Sequence, residues 1–254
     1  MAAEGYRELF DERGGSYDDA MARWPEARAE ELAFVVRLAE VRAGERVLDL
    51  PAGGGYLGDL LPAGASVTAV EPSAAFAERS RARGLEVVAS SLDGEALPDG
   101  EADVLVSIAG IHHEPDHAAL LRGWRRVLAP GGRLVLADVA AGSAPARFLD
   151  GFVGAHNGHG HAGTYLGDDL AELAEACGYA EVRVIDGSYR WWAPTLEELA
   201  AFCAGLFGLR GVSVGEVAEA LAAGPGVDHE EGRTGLRWGL RALELSDVPE
   251  LAAD

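Results

Sequence analysis

Two carboxylates, a knot of glycines and five histidines are the residues in this sequence best placed to do chemistry. The stretch Val47-Leu48-Asp49-Leu50-Pro51-Ala52-Gly53-Gly54-Gly55-Tyr56-Leu57-Gly58 opens on an aliphatic run that reads as a buried strand and turns through the glycines. Tyr56 to Leu61 then reads as the first turns of a helix. Glycines in such a turn let a ligand lie against the backbone, and the unpaired N–H groups of a helix start favour an electron-rich group. Gly53-x-Gly55-x-x-Gly58 matches the dinucleotide fingerprint, with Glu71 at about the spacing of a ribose-binding acid. Asp49, just ahead of the glycines, argues against a pyrophosphate, which a carboxylate repels, and suits a ligand carrying an ammonium or another cation. His112 and His113 leave the end of an apolar run, and His156, His159 and His161 sit in a glycine-rich connection. Histidine is the side chain matched to moving a proton near neutral pH. Three histidines in that connection, with no carboxylate partner beside them in sequence, satisfy no standard ligand spacing, so no metal is expected.

The segment from Asp49 to Gly55 resembles motif I of the class I S-adenosylmethionine (SAM)-dependent methyltransferases, Asp-x-Gly-x-Gly-x-Gly, with Pro51 in place of the first glycine. The run Arg125-Arg126-Val127-Leu128-Ala129-Pro130-Gly131-Gly132-Arg133-Leu134-Val135-Leu136 resembles the family's helix-turn-strand joint. With Glu71 and the strand leading to His112-His113, the likeness covers about residues 40 to 140, in the manner of the small-molecule, type 11-like members. It implies SAM as cofactor, leaving as S-adenosylhomocysteine. Carried over residue by residue, it places Asp49, Pro51, Gly53, Gly55, Glu71, Pro72, Asp93, Gly94 and Ala109 around that cofactor. Glu71 would hold the ribose hydroxyls, and Asp93 the adenine amino group. His113 falls where many small-molecule members carry a His-His-x-Pro-Asp-like segment. His113 and His156 are the candidates for a general base, ahead of His159 and His161, which lie deeper in the glycine run.

Positioning these residues requires an α/β fold, and the resemblance implies a Rossmann-like, doubly wound, mostly parallel sheet of seven strands with an antiparallel last strand. Strands are expected at 66–71, 85–89, 102–108, 133–139 and 181–187, with Leu236–Leu243 as the seventh. In a parallel sheet the carboxyl ends of neighbouring strands face one crevice, which brings Asp49, the glycine turn and Glu71 together. Residues 1–41 form an N-terminal helical cap, 42–140 the cofactor-binding core, and 141–254 a substrate-side half with a helical insert at about 194–232, all within one domain. In the helix starting at Pro25, Leu32, Val35, Val36 and Ala39 make one apolar stripe, with Arg28, Glu30, Glu31 and Arg37 on other faces. The earlier piece, Tyr6 to Trp24, fits either a cover over the ligand pocket or an ordinary packing helix. Trp191 and Trp192 read as packing residues before they read as pocket walls.

With 254 residues, 48% of them hydrophobic, the chain can bury one substantial core. A formal net charge of -21, with no basic stripe, argues against nucleic acid as substrate. No apolar run approaches a membrane span, and Met1-Ala2-Ala3-Glu4 lacks a signal-peptide layout, so a cytoplasmic protein is expected. Cys177 and Cys203 read as buried small hydrophobes. The expected function is methyl transfer from SAM to an oxygen or nitrogen of a small molecule, in bacterial secondary metabolism, with a small-molecule acceptor as partner and a homodimer allowed. Two readings compete with it: a cyclisation or isomerisation that uses bound SAM in another way, and NAD-dependent oxidoreduction.

Overall fold

The computed structural model describes residues 5–247; Met1–Glu4, whose acidic start is noted above, lie outside them. Five apolar segments form the parallel body of the sheet: Arg46–Asp49 (β1), Ser66–Val70 (β2), Glu86–Val88 (β3), Ala102–Ile108 (β4) and Leu128–Asp138 (β5). Later in the chain come Tyr179–Asp186 (β6), Tyr189–Ala193 (β7), Val227–Glu230 (β8), Arg233–Trp238 (β9) and Arg241–Asp247 (β10). β10 enters antiparallel between β5 and β6, giving a seven-stranded sheet in the order β3-β2-β1-β4-β5-β10-β6. The expected Rossmann-like architecture with one antiparallel strand is therefore the one observed.

Burial on both faces explains why the central strands read as continuous apolar runs. Leu105, Leu134 and Leu136 point into one core with Phe76 and Trp124, while Val104, Val106, Val135 and Ala137 point into the other with Val35, Phe148 and Phe202. The helices that cover these faces are Tyr6–Arg23 (α1), Ala29–Ala39 (α2), Ala74–Ala82 (α3), His117–Val127 (α4), Ala144–Phe148 (α5), the single turn Gly154–His156 (α6), Leu170–Ala176 (α7), Leu196–Phe207 (α8) and Val214–Ala223 (α9). α1 contributes Tyr6, Leu9 and Phe10 to one core and Ala20 and Met21 to the other, so it spans the sheet's edge between its two faces. No helix among the described residues is long and apolar enough to cross a membrane.

Several local expectations change. Tyr56 to Leu61 is a turn followed by a single 3-10 turn, Gly58–Leu60, because Pro62 pushes Leu61 into extended backbone (ψ 155°) and leaves no room for a longer helix. The helix expected from Pro25 begins at Ala29, after turns at residues 25–28. The segment Leu236–Leu243 is two strands, not one. β9 pairs with β7 and β8 in a separate three-stranded sheet, and β10 alone completes the main sheet. The break falls at Gly239, where a Cβ would lie 2.2 Å from the Gly187 carbonyl oxygen, so only glycine lets the two turns approach. The insert thus joins α8 and α9 to an antiparallel sheet.

Candidate active site

β1 ends on Asp49, and the chain then passes through a cis Leu50–Pro51 bond into the glycine turn. Gly53 adopts φ 54°, and a Cβ built there meets nothing within 4 Å, so this backbone borders open space. Gly55 differs: its Cβ would lie 2.7 Å from a Leu85 methyl, so glycine is needed there by the fold itself. β2 ends one residue before Glu71, whose carboxylate accepts the N–H groups of Gly53 (2.7 Å) and Ser73 (2.8 Å) and the Tyr6 hydroxyl (3.1 Å). Burial raises the Glu71 carboxyl to about 7 against the pull of those donors. Burial, and then the nearby Glu71, hold Asp49 well above the usual carboxylate range. Two buried acids, of which Glu71 raises the proton affinity of Asp49, form a site ready for a cationic ligand.

Asp49, Pro51, Gly53, Tyr56 and Ala109 line a cavity that α1 bounds with Tyr6, Phe10 and Tyr17, and the turn before α2 with Arg28. On the far side of Tyr6, Glu71, Pro72, Ser90, Ser91, Leu92 and Glu114 line an open cleft. Asp93 and Gly94 lie just beyond that lining. Asp93 closes its own turn by accepting the Ser91 hydroxyl (2.5 Å) and the Glu95 N–H (3.1 Å). Ala109, at the end of β4, holds φ 49°, a backbone region that L residues other than Asn and Asp seldom occupy, and it borders both this cavity and the next.

The second cavity shares Phe10, Tyr17, Arg28 and Ala109 with the first. Its walls are apolar and aromatic, with Val139, Leu149, Val153, Trp191, Phe207 and Trp238 among them. Trp191 both packs and lines, stacking on Trp238 at 4.4 Å between ring centroids. Trp192 turns outward, donating to Glu30 at 2.7 Å. The polar end is built by His112, His113 and His161, which each bring a ligand-capable nitrogen within 4.8 Å of the others. His112 Nδ1 is 2.7 Å from Asp138 at the end of β5, and His161 Nδ1 is 3.1 Å from Asp150, which also accepts the Tyr165 hydroxyl at 2.6 Å. Burial, though it pushes Asp138 up, is outweighed by His112 and by backbone N–H donors, which hold that acid below its ordinary value. Burial, with His112 as the next cause, pushes His161 down to about 4 and His113 well below the ordinary histidine value. Both rings are neutral at pH 7.

His113 lines the second cavity. His156 does not: its ring packs on Phe152 at 4.7 Å, outside the lining of both cavities. His159 pairs with Glu12 at 2.8 Å. His161, set behind the others by its glycine-rich neighbourhood, is the one brought to the site, because Asp150 and Tyr165 fix its ring from outside the run. The metal expectation considered only His156, His159 and His161, whereas the cluster that converges is His112, His113 and His161. The sequence pattern also puts Arg28 and Glu31 on faces other than the apolar stripe. They form a buried ion pair, with Glu31 accepting the Trp191 Nε1–H at 3.0 Å. Asp138 was missed, although an acid ending an apolar strand is the same signal that singled out Asp49 and Glu71. Tyr6 and Arg13, on α1, carry no such signal.

Residues 22–184 of the 254 match the family described as a methyltransferase domain. Over 121 residues the chain is 36% identical to a ubiquinone biosynthesis O-methyltransferase of Xanthomonas oryzae pv. oryzae, covering 44% of this chain and 50% of that protein. Over 142 residues it is 32% identical to a 27-O-demethylrifamycin SV methyltransferase of Amycolatopsis mediterranei, covering 52% of each. The chain spans about half the length of these curated relatives. Its fold superposes on a SAM-dependent methyltransferase from Thermotoga maritima with a TM-score of 0.64 at 16% identity, covering 96% of this chain and 100% of the other. With more than half of its sequence inside that family match, and with an acid-flanked glycine turn bordering a cavity, the chain belongs to the class I SAM-dependent methyltransferase family.

Proposed function

We propose that this protein transfers the methyl group of SAM to an oxygen, or alternatively a nitrogen, of a small aromatic acceptor in a biosynthetic pathway. The observation that carries this reading is the junction of the two cavities. A cavity bounded by Asp49 and Gly53 shares Ala109 and Phe10 with an aromatic-walled one that ends in three histidines. The first fits the amino acid part of SAM, whose ammonium would relieve the buried Asp49. The cleft of Glu71, Pro72 and Ser91 fits its nucleoside. Asp93 and Gly94 would bear on the adenine only through the neighbouring Ser91 and Leu92.

Bound SAM supplies an electrophilic methyl. The chain's own part is to align the acceptor, exclude water and accept a proton. Phe10, Val139 and Trp191 keep the acceptor space apolar. His113 or His161, both neutral, can take the proton of an acceptor hydroxyl, which favours oxygen over an amine that arrives deprotonated. Asp138 holds the adjacent His112 ring in place. A formal net charge of -21 supports a small molecule over nucleic acid. Mass spectrometry of candidate acceptors incubated with SAM tests the reading: a gain of about 14 daltons supports methyl transfer, and a changed product of unchanged mass would favour cyclisation or isomerisation.

A further inference from the structure

Arg13 belongs to α1 and is 7% exposed, yet it lines the acceptor cavity. Its Nη2 donates to the Leu206 carbonyl at 2.9 Å and its guanidinium lies 5.3 Å from the Phe10 ring centroid, while its Nε has no hydrogen-bond partner among the described residues. No carboxylate pairs with it among those residues, and no acid lines this cavity. The other arginine there, Arg28, is already matched by Glu31. A buried guanidinium with one carbonyl partner is an uncompensated charge, which is costly in an apolar surround unless a counter-charge arrives. Tyr6 and Tyr17 are the groups whose fields reach it, and both are neutral phenols with burial holding their hydroxyls above the ordinary value.

Resting on the methyltransferase reading, we propose that Arg13 is a specificity residue that pairs with an anionic oxygen of the acceptor, so that the acceptor is a largely apolar, planar molecule bearing a carboxylate or a phenolate. The cavity's composition fits both parts of such a molecule. Trp191, Phe207 and Trp238 offer flat apolar walls, and Arg13 with the neutral His113 and His161 offers polar groups. A guanidinium meets a carboxylate through two parallel N–H bonds and a phenolate through one or two, and Arg13 Nε is a donor still to be used.

The test uses the full chain saturated with S-adenosylhomocysteine, with tryptophan fluorescence quenching as the binding readout. The probes are 1-naphthoate, its neutral analogue 1-naphthamide, and 2-naphthol titrated from neutral to alkaline pH. Naphthoate binding at least tenfold tighter than naphthamide identifies the carboxylate form. A 2-naphthol affinity that rises with pH identifies the phenolate form. Either preference must vanish in Arg13→Met and survive in part in Arg13→Lys. Calorimetric titration of S-adenosylhomocysteine into each variant gives an unchanged affinity, which keeps a failure here separate from a failure of the cofactor assignment. Arg13→Met should also melt no lower than the wild type, since a purely structural arginine would lower the melting temperature on removal. Equal affinity for naphthoate and naphthamide together with a pH-independent 2-naphthol affinity, or an anion preference that persists in Arg13→Met, overturns the proposal.

Discussion

The phenol of Tyr6 donates a 3.1 Å hydrogen bond to Glu71, and this contact stands between the cavity of Asp49 and the cleft of Ser91. Tyr6 is the one residue lining both openings. Glu71 has already accepted two backbone N–H groups, so a carboxylate with about four acceptor positions has roughly one left while Tyr6 stays bound. A ribose taking both of its hydroxyls to Glu71 must displace the phenol. Tyr6→Phe is therefore expected to tighten S-adenosylhomocysteine binding by roughly three- to tenfold, the equivalent of one competing hydrogen bond. Glu71→Ala should weaken it on the order of ten- to a hundredfold with the fold kept. Isothermal calorimetry checks both, and weaker binding by Tyr6→Phe would show that the tyrosine holds the cofactor instead of competing with it.

The same carboxyl gives the site a pH dependence. Burial raises Glu71 to about 7, so between its ordinary value of 4.5 and about 7 the folded protein keeps a proton that the unfolded chain has lost. Stability from this group is complete below that window and falls as pH rises through it, by at most about 1.4 kcal/mol per pH unit. Cofactor affinity runs the other way, since the ribose needs the ionised form. It should rise about tenfold between pH 6 and pH 8. In Glu71→Gln both slopes should flatten, as measured by urea unfolding and by calorimetry across that range.

Two glycines of the opening motif should separate binding from folding. Gly53→Ala forces an alanine into the left-handed region, which costs on the order of 1 kcal/mol, but the new methyl enters the open space where a ligand would lie. It should lower cofactor affinity with a small change in melting temperature. Gly55→Ala meets Leu85 at 2.7 Å and Ser80 at 3.1 Å in addition to a φ of 80°, so its loss should appear first as a fall in melting temperature. The reverse ranking would assign the ligand to Gly55.

The sheet was legible because both faces are buried. β4 is apolar at every position but Asp103 and Ser107, β5 is apolar over Leu134–Ala137, and the acids Asp49 and Glu71 mark the carboxyl ends of their strands through a change of polarity that one sequence can display. The insert was half legible. Thr195 and Ser213 cap α8 and α9 by visible side-chain bonds, whereas the split at Gly239 depends on contact with Gly187 from a distant turn. The histidine cluster was legible only for its first two members, which sit at a strand end. His161 is placed by Asp150 and Tyr165, partners across a loop, and no local pattern announces them. Arg28 and Glu31 misled for the opposite reason: charges spaced for a solvated helix face were buried together against β7, where each satisfies the other.

Which histidine takes the acceptor's proton can be decided by combining position with protonation state. His113 and His161 line the acceptor cavity, and His156 packs on Phe152 away from it. His113→Ala or His161→Ala should therefore lower kcat on the order of 10²- to 10⁴-fold at saturating SAM with a hydroxyl acceptor, and His156→Ala should leave it near the wild-type value. A base must be unprotonated to act. An ordinary histidine would lose activity below about pH 6.5, but burial holds His161 at about 4 and His113 well below its ordinary value, so the acid limb of kcat should move well below that of an ordinary histidine, to about pH 4 where His161 is the base. Measuring kcat, not kcat/KM, keeps the Glu71 titration out of the profile. A limb near pH 6.5 in the wild type that disappears in His156→Ala would assign the proton transfer to the histidine outside the cavity, through a rearrangement of α6 toward the acceptor.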